Sequence, residues 1–198
     1  MVSKNQIKLI NNLQQKKYRN LHNIFVVEGE KGVREFLNSE FELHSLFCTD
    51  GFKIERTTDK IYQIAEKELD KISQLKTPNK VLGIFYKPKP KTLIKKGLIL
   101  VLDNIKDPGN LGTIIRLCDW FNITQLICSL ETVDCFNPKV VQATMGSVTR
   151  VAVVYTDIIE VLKNTDLPCF AAVMNGKNIY KTKLPKDSLL IVGNEANG

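Results

Sequence analysis

The sequence predicts an α/β protein with two domains, the second built around a mostly parallel sheet. Segments of strand length alternate with segments of helical periodicity along the chain, which is the pattern of α/β folds. The segment 98–102 is apolar throughout, as expected of a strand covered on both faces. Alternating proline and lysine at 87–91 indicate an extended linker. We therefore predict domains at 1–86 and 98–198, joined by residues 87–97.

The first predicted domain is a small α/β domain with a β-α-β order at its centre. Ile7, Ile10 and Leu13 share one stripe of its first helix, and branched and aromatic residues mark its strands. The predicted elements are helix 4–17, strand 24–27, helix 31–37, strand 43–48, helix 59–73 and strand 81–86.

The second predicted domain alternates strands and helices, the order expected of a doubly wound sheet. The predicted elements are strand 98–102, helix 110–121, strand 124–129, helix 137–147, strand 151–155, helix 156–164, strand 168–174 and strand 189–193. Trp120 and Phe121, at the end of the first of these helices, are predicted to lie in the core.

Charge is distributed unevenly between the two halves of the chain. Residues 1–97 contain 19 lysines and arginines against 11 aspartates and glutamates, whereas residues 98–198 contain 9 against 10. A positive surface favours polyanions, because lysine and arginine release counterions from phosphates. Solvated surface lysines fit the same composition, so charge alone leaves nucleic-acid binding and an ordinary basic surface both open.

The cysteines and the apolar segments are those of a cytoplasmic protein. The five cysteines are odd in number and form no C-x-x-C pair, so neither a disulfide framework nor a metal site is predicted. No apolar run reaches the roughly 20 residues that cross a bilayer, and the N-terminus lacks the apolar core of a signal peptide. We expect no membrane segment and no metal.

The loop at 103–112 is the first candidate for a ligand site. Ligands of open α/β sheets bind beyond the carboxyl ends of the strands. This loop follows the apolar strand 98–102 and leads into a helix that carries Arg116. Asn110 is predicted to be the N-cap of that helix. An ordinary capped helix with an arginine on its surface fits the loop at least as well.

The segment 193–198 is the second candidate. The apolar strand 189–192 runs directly into Gly193-Asn194-Glu195-Ala196-Asn197-Gly198. The two glycines permit positive φ and close approach of the backbone to a ligand, and Glu195 places a carboxylate at the end of the sheet. A glycine-containing turn after a core strand fits the same residues.

Both loops resemble the signatures of one enzyme family. The spacing Asn104-x-x-x-Pro108-x-Asn110-x-Gly112-x-x-x-Arg116 is similar to the first signature of SpoU/TrmH-type methyltransferases of the SPOUT superfamily, and Gly193-Asn194-Glu195-x-x-Gly198 to the second. The segment 143–150 is similar to the small-residue helix between them. The resemblance implies an α/β domain with a trefoil knot, a rare exception to unknotted topology, and a third signature after Gly198.

The first domain resembles the substrate-binding domain that is often fused to these enzymes, which is akin to small ribosomal RNA-binding proteins. The similarity lies in Lys16-Lys17-Tyr18-Arg19 and in Phe25-Val26-Val27-Glu28-Gly29. It implies RNA binding through Lys16, Lys17 and Arg19, by phosphate contacts that carry little sequence information.

The resemblance implies an activity and roles for individual residues. The activity is S-adenosylmethionine-dependent methylation of a ribose 2'-hydroxyl in structured RNA by a homodimer, with ribosomal RNA the expected substrate and transfer RNA the alternative. The implied catalytic residues are Arg116, Asn110 and Glu195. The implied cofactor-binding residues are Gly193, Asn194, Gly198, Met174 and Gly176. For the last two, a simple glycine turn is the alternative.

Two other classes of protein share parts of this pattern. A non-catalytic RNA-binding protein with the same fold would retain RNA affinity and lose cofactor binding. A nicotinamide-dependent oxidoreductase would need the motif G-x-G-x-x-G after the first strand of its sheet. The residues at 103–112 lack that motif, so the methyltransferase is favoured.

Overall fold

A computed structural model of the protein shows two compact units. The described residues are 1–54, 59–89 and 96–194. The first unit comprises the described residues of Met1–Lys89 together with Phe136–Thr149, and the second those of 90–135 and 150–198. Most of the predicted linker at 87–97 lies outside the described residues, so the predicted domain boundary stays a prediction.

The first unit is a small α/β unit with a four-stranded sheet. Its elements are α1 (Lys4–Asn12), α2 (Lys16–His22), β1 (Ile24–Glu28), α3 (Glu30–Leu37), β2 (Leu43–Cys48), β3 (Ile61–Gln63), α4 (Glu66–Leu69), β4 (Val81–Tyr86) and, from the later segment, α6 (Pro138–Thr144). The strand order is β1-β4-β2-β3, in which β4 is antiparallel to β1 and β2 while β3 is parallel to β2.

The predicted helix at 59–73 is wrong over its first half. Residues Ile61–Gln63 form β3 instead, with Leu46 N–H donating to the Lys60 carbonyl at 2.8 Å and Ile64 N–H donating to the Cys48 carbonyl at 2.9 Å. The exposed edge of β2 offers backbone partners that the local sequence does not reveal, and pairing with them overrides the helical periodicity.

The predicted helix at 4–17 is divided into α1 and α2. The Arg19 side chain, which is only 1% exposed, donates to the Leu13 carbonyl at 2.8 Å and to the Gln14 carbonyl at 2.9 Å. Basic side chains satisfy carbonyl groups at helix C-termini in this way. Arg19 therefore stabilises the turn that ends α1.

An aromatic cluster fills the core of the first unit. The Phe25 ring on β1 lies 5.4 Å from the Phe36 ring and 4.5 Å from the Phe136 ring, measured between ring centroids. Gly83 on β4 makes room for the Phe85 ring, which lies 5.2 Å from the Phe36 ring, because a Cβ atom at Gly83 would lie 2.6 Å from the Phe85 ring. Phe136 and α6 thus complete a core whose other members come from the first 90 residues.

The turn that follows α6, within the segment 136–149, requires glycine. Gly146 has a φ of +95°, and a Cβ atom there would lie 2.6 Å from Cγ of Glu35. Any side chain at this position would meet both backbone strain and a steric clash. The close approach fixes this turn against α3.

The second unit contains a five-stranded sheet in which every strand pair is parallel. Its elements are β5 (Leu98–Leu102), α5 (Pro108–Trp120), β6 (Gln125–Cys128), β7 (Ala152–Tyr155), α7 (Ile158–Lys163), β8 (Cys169–Ala171) and β9 (Ser188–Val192). The strand order is β7-β6-β5-β9-β8. The predicted parallel sheet is confirmed, and β5 lies at its centre.

The prediction that Trp120 and Phe121 lie in the core is wrong, because their side chains are 85% and 68% exposed. Leu111, Ile115 and Cys118 form the buried stripe of α5. At 100° per residue Trp120 falls on the opposite side of the helix from this stripe. Phe121 is the C-cap residue just beyond the helix, and both side chains face solvent.

Within the described ranges, no helix is both long and apolar enough to cross a membrane. The same residues contain no group of three or more histidine, cysteine, aspartate or glutamate side chains that could hold a metal ion. All five cysteines are free thiols, and Cys169 is the exposed one.

Candidate functional site

The loops that follow β5 and β9 leave the sheet side by side. The two strands are parallel neighbours, paired from Leu98 with Ser188 to Leu102 with Val192. The Asp103 N–H extends the pairing by donating to the Val192 carbonyl at 3.0 Å. Both predicted ligand loops therefore begin at the same level of the sheet, at the carboxyl ends where ligands of such sheets bind.

The loop after β5 is held by hydroxyl groups of the loop after β6. Asn104 N–H donates to Ser129 Oγ at 2.9 Å, and Ile105 N–H to Thr132 Oγ1 at 3.3 Å. The two hydroxyl oxygens are 3.1 Å apart and buried. Val133 N–H then donates to the Ile105 carbonyl at 2.9 Å. These hydrogen bonds tie the backbone of Asn104 and Ile105 to the loop after β6.

The N-cap of α5 is Asp107, so the prediction of Asn110 as N-cap is wrong. The Asp107 carboxylate accepts a hydrogen bond from the Asn110 N–H at 2.7 Å. Pro108 occupies the first helical position, where its fixed φ and missing N–H suit a helix start. Proline therefore places the cap one residue before itself, and Asn110 becomes the exposed third residue of the helix.

Arg116 projects from α5 into solvent. Its guanidinium forms no hydrogen bond or ion pair with a residue that the structure describes. Glu195, another implied catalytic residue, lies outside the described residues, as does Gly198. The guanidinium therefore places a permanent positive charge at the surface of α5.

A side chain connects the two loops. Asn194 Nδ2 donates to the main-chain carbonyl of Asn104 at 2.7 Å. Asn104 has a φ of 57°, and its own side-chain Oδ1 is buried without a hydrogen-bond partner among the described residues. Gly193, between β9 and Asn194, is half-buried. The two predicted signatures therefore meet at one edge of the sheet.

The loop after β8 contains a glycine turn. Gly176 N–H donates to the Val173 carbonyl at 3.2 Å, and β8 ends at Ala171, earlier than predicted. The side chains of Val173 and Met174 are fully or largely exposed. The turn that was one interpretation of Met174 and Gly176 is confirmed, and their contact with a cofactor stays a prediction.

The buried thiol of Cys118 on α5 and the half-buried phenol of Tyr155 on β7 both have raised pKa values. Burial raises the pKa of Cys118 to about 11. Burial also raises the pKa of Tyr155, whose hydroxyl accepts from Cys135 N–H at 2.7 Å and donates to the Val133 carbonyl at 2.6 Å. Both shifts favour the protonated forms, and the Tyr155 hydroxyl links the backbone of Cys135 to that of Val133.

Two family models match the chain. The SpoU rRNA Methylase family model matches residues 97–198, and the MRM3-like substrate binding domain model matches residues 4–83. The first match covers more than half of the chain and contains both loops. The chain belongs to the SpoU rRNA methylase family. The family predicted from the two signatures is confirmed, with its N-terminal substrate-binding domain.

Named relatives of this SpoU family protein include bacterial and mitochondrial enzymes. The 23S rRNA (guanosine(2553)-2'-O)-methyltransferase RlmP of Bacillus subtilis (strain 168) is 29% identical, and the match spans 99% of this chain and 82% of that protein. The mitochondrial rRNA methyltransferase 3 of Xenopus laevis is 33% identical over 74% of this chain, but only 38% of that protein is covered.

Solved structures of the family share the fold. A TrmH-family protein from Porphyromonas gingivalis superposes with a TM-score of 0.90 at 32% identity, covering 100% of this chain and 83% of that chain. An AdoMet-bound rRNA methyltransferase from Sinorhizobium meliloti gives 0.79 at 25% identity, covering 99% of this chain and 81% of that chain.

The three predicted RNA-binding residues of this SpoU family member differ in exposure. Lys16 and Lys17 are exposed on α2, and Lys17 Nζ lies 4.7 Å from the centre of the Tyr18 ring. Arg19 is buried, and its guanidinium donates hydrogen bonds to the Leu13 and Gln14 carbonyls. The expectation of a phosphate contact by Arg19 is corrected to a structural role.

Sequence reasoning assigned no role to four residues that shape the SpoU site: Asp107, Asn104, Ser129 and Thr132. Asp107 precedes a proline, which is a recognisable signal for an N-cap. Asn104 is a residue type that tolerates left-handed backbone. The two hydroxyl residues carry no such local signal, because their partners are some 25 residues away in sequence.

Proposed function

We propose that this chain transfers a methyl group from S-adenosylmethionine to a ribose 2'-hydroxyl of ribosomal RNA. The observation that carries the proposal is the meeting of the two signature loops, joined by the Asn194 to Asn104 hydrogen bond, at the carboxyl ends of β5 and β9. The RlmP relative is named for this type of reaction on 23S rRNA.

The described residues at this edge of the sheet fit S-adenosylmethionine. The buried Asn104 Oδ1 lacks a partner among them, so it is an acceptor for a donor group of a bound molecule. Val173 and Met174 expose apolar side chains at the end of β8, which an apolar part of the cofactor would cover. Gly193 and Gly176 permit close approach, and Gly198 belongs to the same proposed cofactor site.

The chain's own contribution to the reaction is alignment and electrostatic stabilisation. S-adenosylmethionine, when bound, would supply an electrophilic sulfonium methyl group; its transfer would leave the neutral thioether S-adenosylhomocysteine, and the hydroxyl proton would pass to water. Arg116 would orient the ribose hydroxyl or an adjacent phosphate and stabilise the negative charge that develops on the attacking oxygen. A guanidinium is effectively always protonated, so this role suits it better than that of a general base.

Asn110 and Glu195 complete the proposed catalytic group. Asn110 is in the first turn of α5, and Arg116 is six residues further along the same helix. We assign Asn110 the role of fixing the loop at the helix start and Glu195 that of a charge-assisted partner for Arg116.

The first unit supplies RNA affinity in this proposal. Residues 1–97 carry the excess of positive charge, and Lys16 and Lys17 are exposed on one short helix. The substrate-binding family model covers the same part of the chain. Phosphate contacts by these lysines would provide affinity with little sequence discrimination.

We also propose that the protein is a cytoplasmic homodimer. Its second domain would have the trefoil knot of its family. The exposed side chains of Leu117, Trp120 and Phe121 on one side of α5 support a dimer, because contiguous exposed apolar residues mark protein contacts. Free cysteines are consistent with a reducing compartment.

The proposal is tested by methyl transfer from labelled S-adenosylmethionine to total RNA of cells that lack the protein. We expect 2'-O-methylation of ribosomal RNA by the wild type, loss of turnover by orders of magnitude in Arg116→Ala, and nearly unchanged cofactor affinity. Lys163→Ala removes an exposed cation from α7 and serves as the matched control.

Three outcomes would contradict the proposal. Wild-type turnover in a folded Arg116→Ala protein would remove Arg116 from the mechanism. Methylation of transfer RNA alone would reassign the substrate. RNA binding without any binding of S-adenosylmethionine, measured by calorimetry, would favour a non-catalytic RNA-binding protein.

A further inference from the structure

Asn194 extends the connection between two neighbouring strands beyond their backbone pairing. The last paired residues of β5 and β9 are Leu102 and Val192. Two residues past this pair, the Asn194 carboxamide donates to the Asn104 carbonyl at 2.7 Å. A side-chain hydrogen bond thus replaces backbone pairing at the level where the two strands end and their loops begin.

The acceptor is held firmly on both sides. Asn104 has a left-handed φ of 57°, which asparagine tolerates better than most residues. Its N–H is bonded to Ser129 Oγ at 2.9 Å, and its carbonyl to Asn194. Both peptide units of Asn104 are therefore anchored, one by the loop after β6 and one by the loop after β9.

The position of Asn104 is transmitted to α5. Ile105 and Lys106 alone separate Asn104 from Asp107, the N-cap of α5. Ile105 is buried and hydrogen-bonded to Val133, so this short connection has little freedom. A shift of the Asn104 carbonyl would displace the start of the helix that carries Arg116.

We infer that Asn194 is a positioning residue for methyl transfer, acting through the loop after β5 on Arg116. The inference rests on the proposed function of this site. It differs from the sequence-based assignment of Asn194 to the cofactor, because the carboxamide donates to protein and fixes the geometry on the acceptor side. Misplacement of a catalytic group by about 1 Å lowers rates by about a hundredfold.

The test is a double-mutant cycle in the full chain, combining Asn194→Ala with Arg116→Ala. Single-turnover rates are measured with labelled S-adenosylmethionine and total RNA from cells lacking the protein, and cofactor affinity by calorimetry. We expect Asn194→Ala to lower the rate by about tenfold or more. In the Arg116→Ala background the further loss is less than about threefold, because the two residues act together.

Three further variants complete the design. Asn194→Asp, which is nearly isosteric but lacks the donor, shows the same loss as Asn194→Ala. Asn194→Gln keeps a donor and recovers part of the rate. Asn122→Asp, the same change at an exposed residue of the second unit, retains the wild-type rate. The cofactor dissociation constant changes by less than about threefold in the Asn194 variants.

Several results would overturn the inference. Independent, multiplicative losses in the cycle would show that Asn194 does not act through Arg116. A rise in the cofactor dissociation constant that matches the loss of rate would identify a cofactor contact. Failure of both Asn194→Ala and Asn194→Asp to fold, while Asn122→Asp folds, would show a purely structural role. A folded wild type that methylates no RNA refutes the proposed function instead.

Discussion

The carboxylate of Asp107 accepts a hydrogen bond from the backbone N–H of Asn110 at 2.7 Å, and this bond defines the start of α5. Replacement of Asp107 by alanine leaves that N–H without its partner and removes a negative charge from the helix N-terminus. We expect Asp107→Ala to lower the free energy of unfolding of the second unit by about 1 kcal/mol.

The measurement is hydrogen exchange of the α5 amides, which reports the free energy of opening of the helix. Asp107→Ser is the matched control, because serine is also a strong N-cap residue. Equal stability of the alanine and serine variants would contradict the assigned cap.

Phe136 is expected to stabilise the first unit, although it follows β6 of the second unit in sequence. Its ring lies 4.5 Å from that of Phe25 and 6.3 Å from that of Phe41. Phe136→Ala should destabilise the first unit by about 2 kcal/mol, less than a fully buried phenylalanine because the side chain is half-buried. Faster hydrogen exchange of the β1 amides reports this loss. Tyr180→Ala, at a fully exposed ring, should leave β1 unchanged.

Lys16 and Lys17 are expected to contact RNA phosphates. The variant Lys16→Ala/Lys17→Ala should bind RNA more weakly, and the slope of log affinity against log salt concentration should fall by about one for each lost contact. Titrations at several salt concentrations measure the slope. Lys67→Ala/Lys71→Ala, which removes two exposed lysines of the same unit, serves as control. The same slope in both double variants would exclude the α2 surface.

His44 makes the stability of the first unit dependent on pH. Its Nδ1 lies 3.0 Å from Ser45 Oγ, and its ring packs edge-on against Tyr86. Burial lowers the pKa of His44 below 6.5, and the charges of Lys60 and His22 lower it further. The folded state thus binds the proton less tightly than the unfolded state, so the contribution of His44 to stability is present above pH 6.5 and is lost as the pH falls through the lowered pKa.

The measurement compares wild type and His44→Gln by urea denaturation at about pH 7.5 and about pH 5. The wild type should lose more stability than the variant on acidification. An identical loss in both proteins would show that His44 does not titrate between the two states.

Local sequence patterns were sufficient to predict most strands and the parallel sheet. The apolar runs at 98–102 and 189–192 became β5 and the main part of β9, because a continuous apolar run of strand length fits a strand covered on both faces. Prediction failed at 59–73, where β3 forms by pairing with β2. No periodicity within that segment encodes a partner strand elsewhere in the chain.

The candidate site was predicted in its residue types and not in its contacts. The resemblance of the two signatures to one family assigned Arg116, Asn110 and the 193–198 segment to the site, and their roles stay predictions. The N-cap moved from Asn110 to Asp107, and Arg19 turned from a surface cation into a buried group that satisfies carbonyls. Such roles depend on which groups fold next to a side chain, which spacing along the chain does not specify.

By itself, the sequence determined the α/β class, the basic first half and the two signature loops, because periodicity, charge and motif spacing are properties of neighbouring residues. Only the tertiary structure decided that Phe136 and α6 pack into the core of the first unit, and that Asn194 donates to Asn104 across 90 residues of sequence. Long-range contacts are selected by the packing of whole elements, since a buried ring or carboxamide takes the partner that the folded chain brings to it.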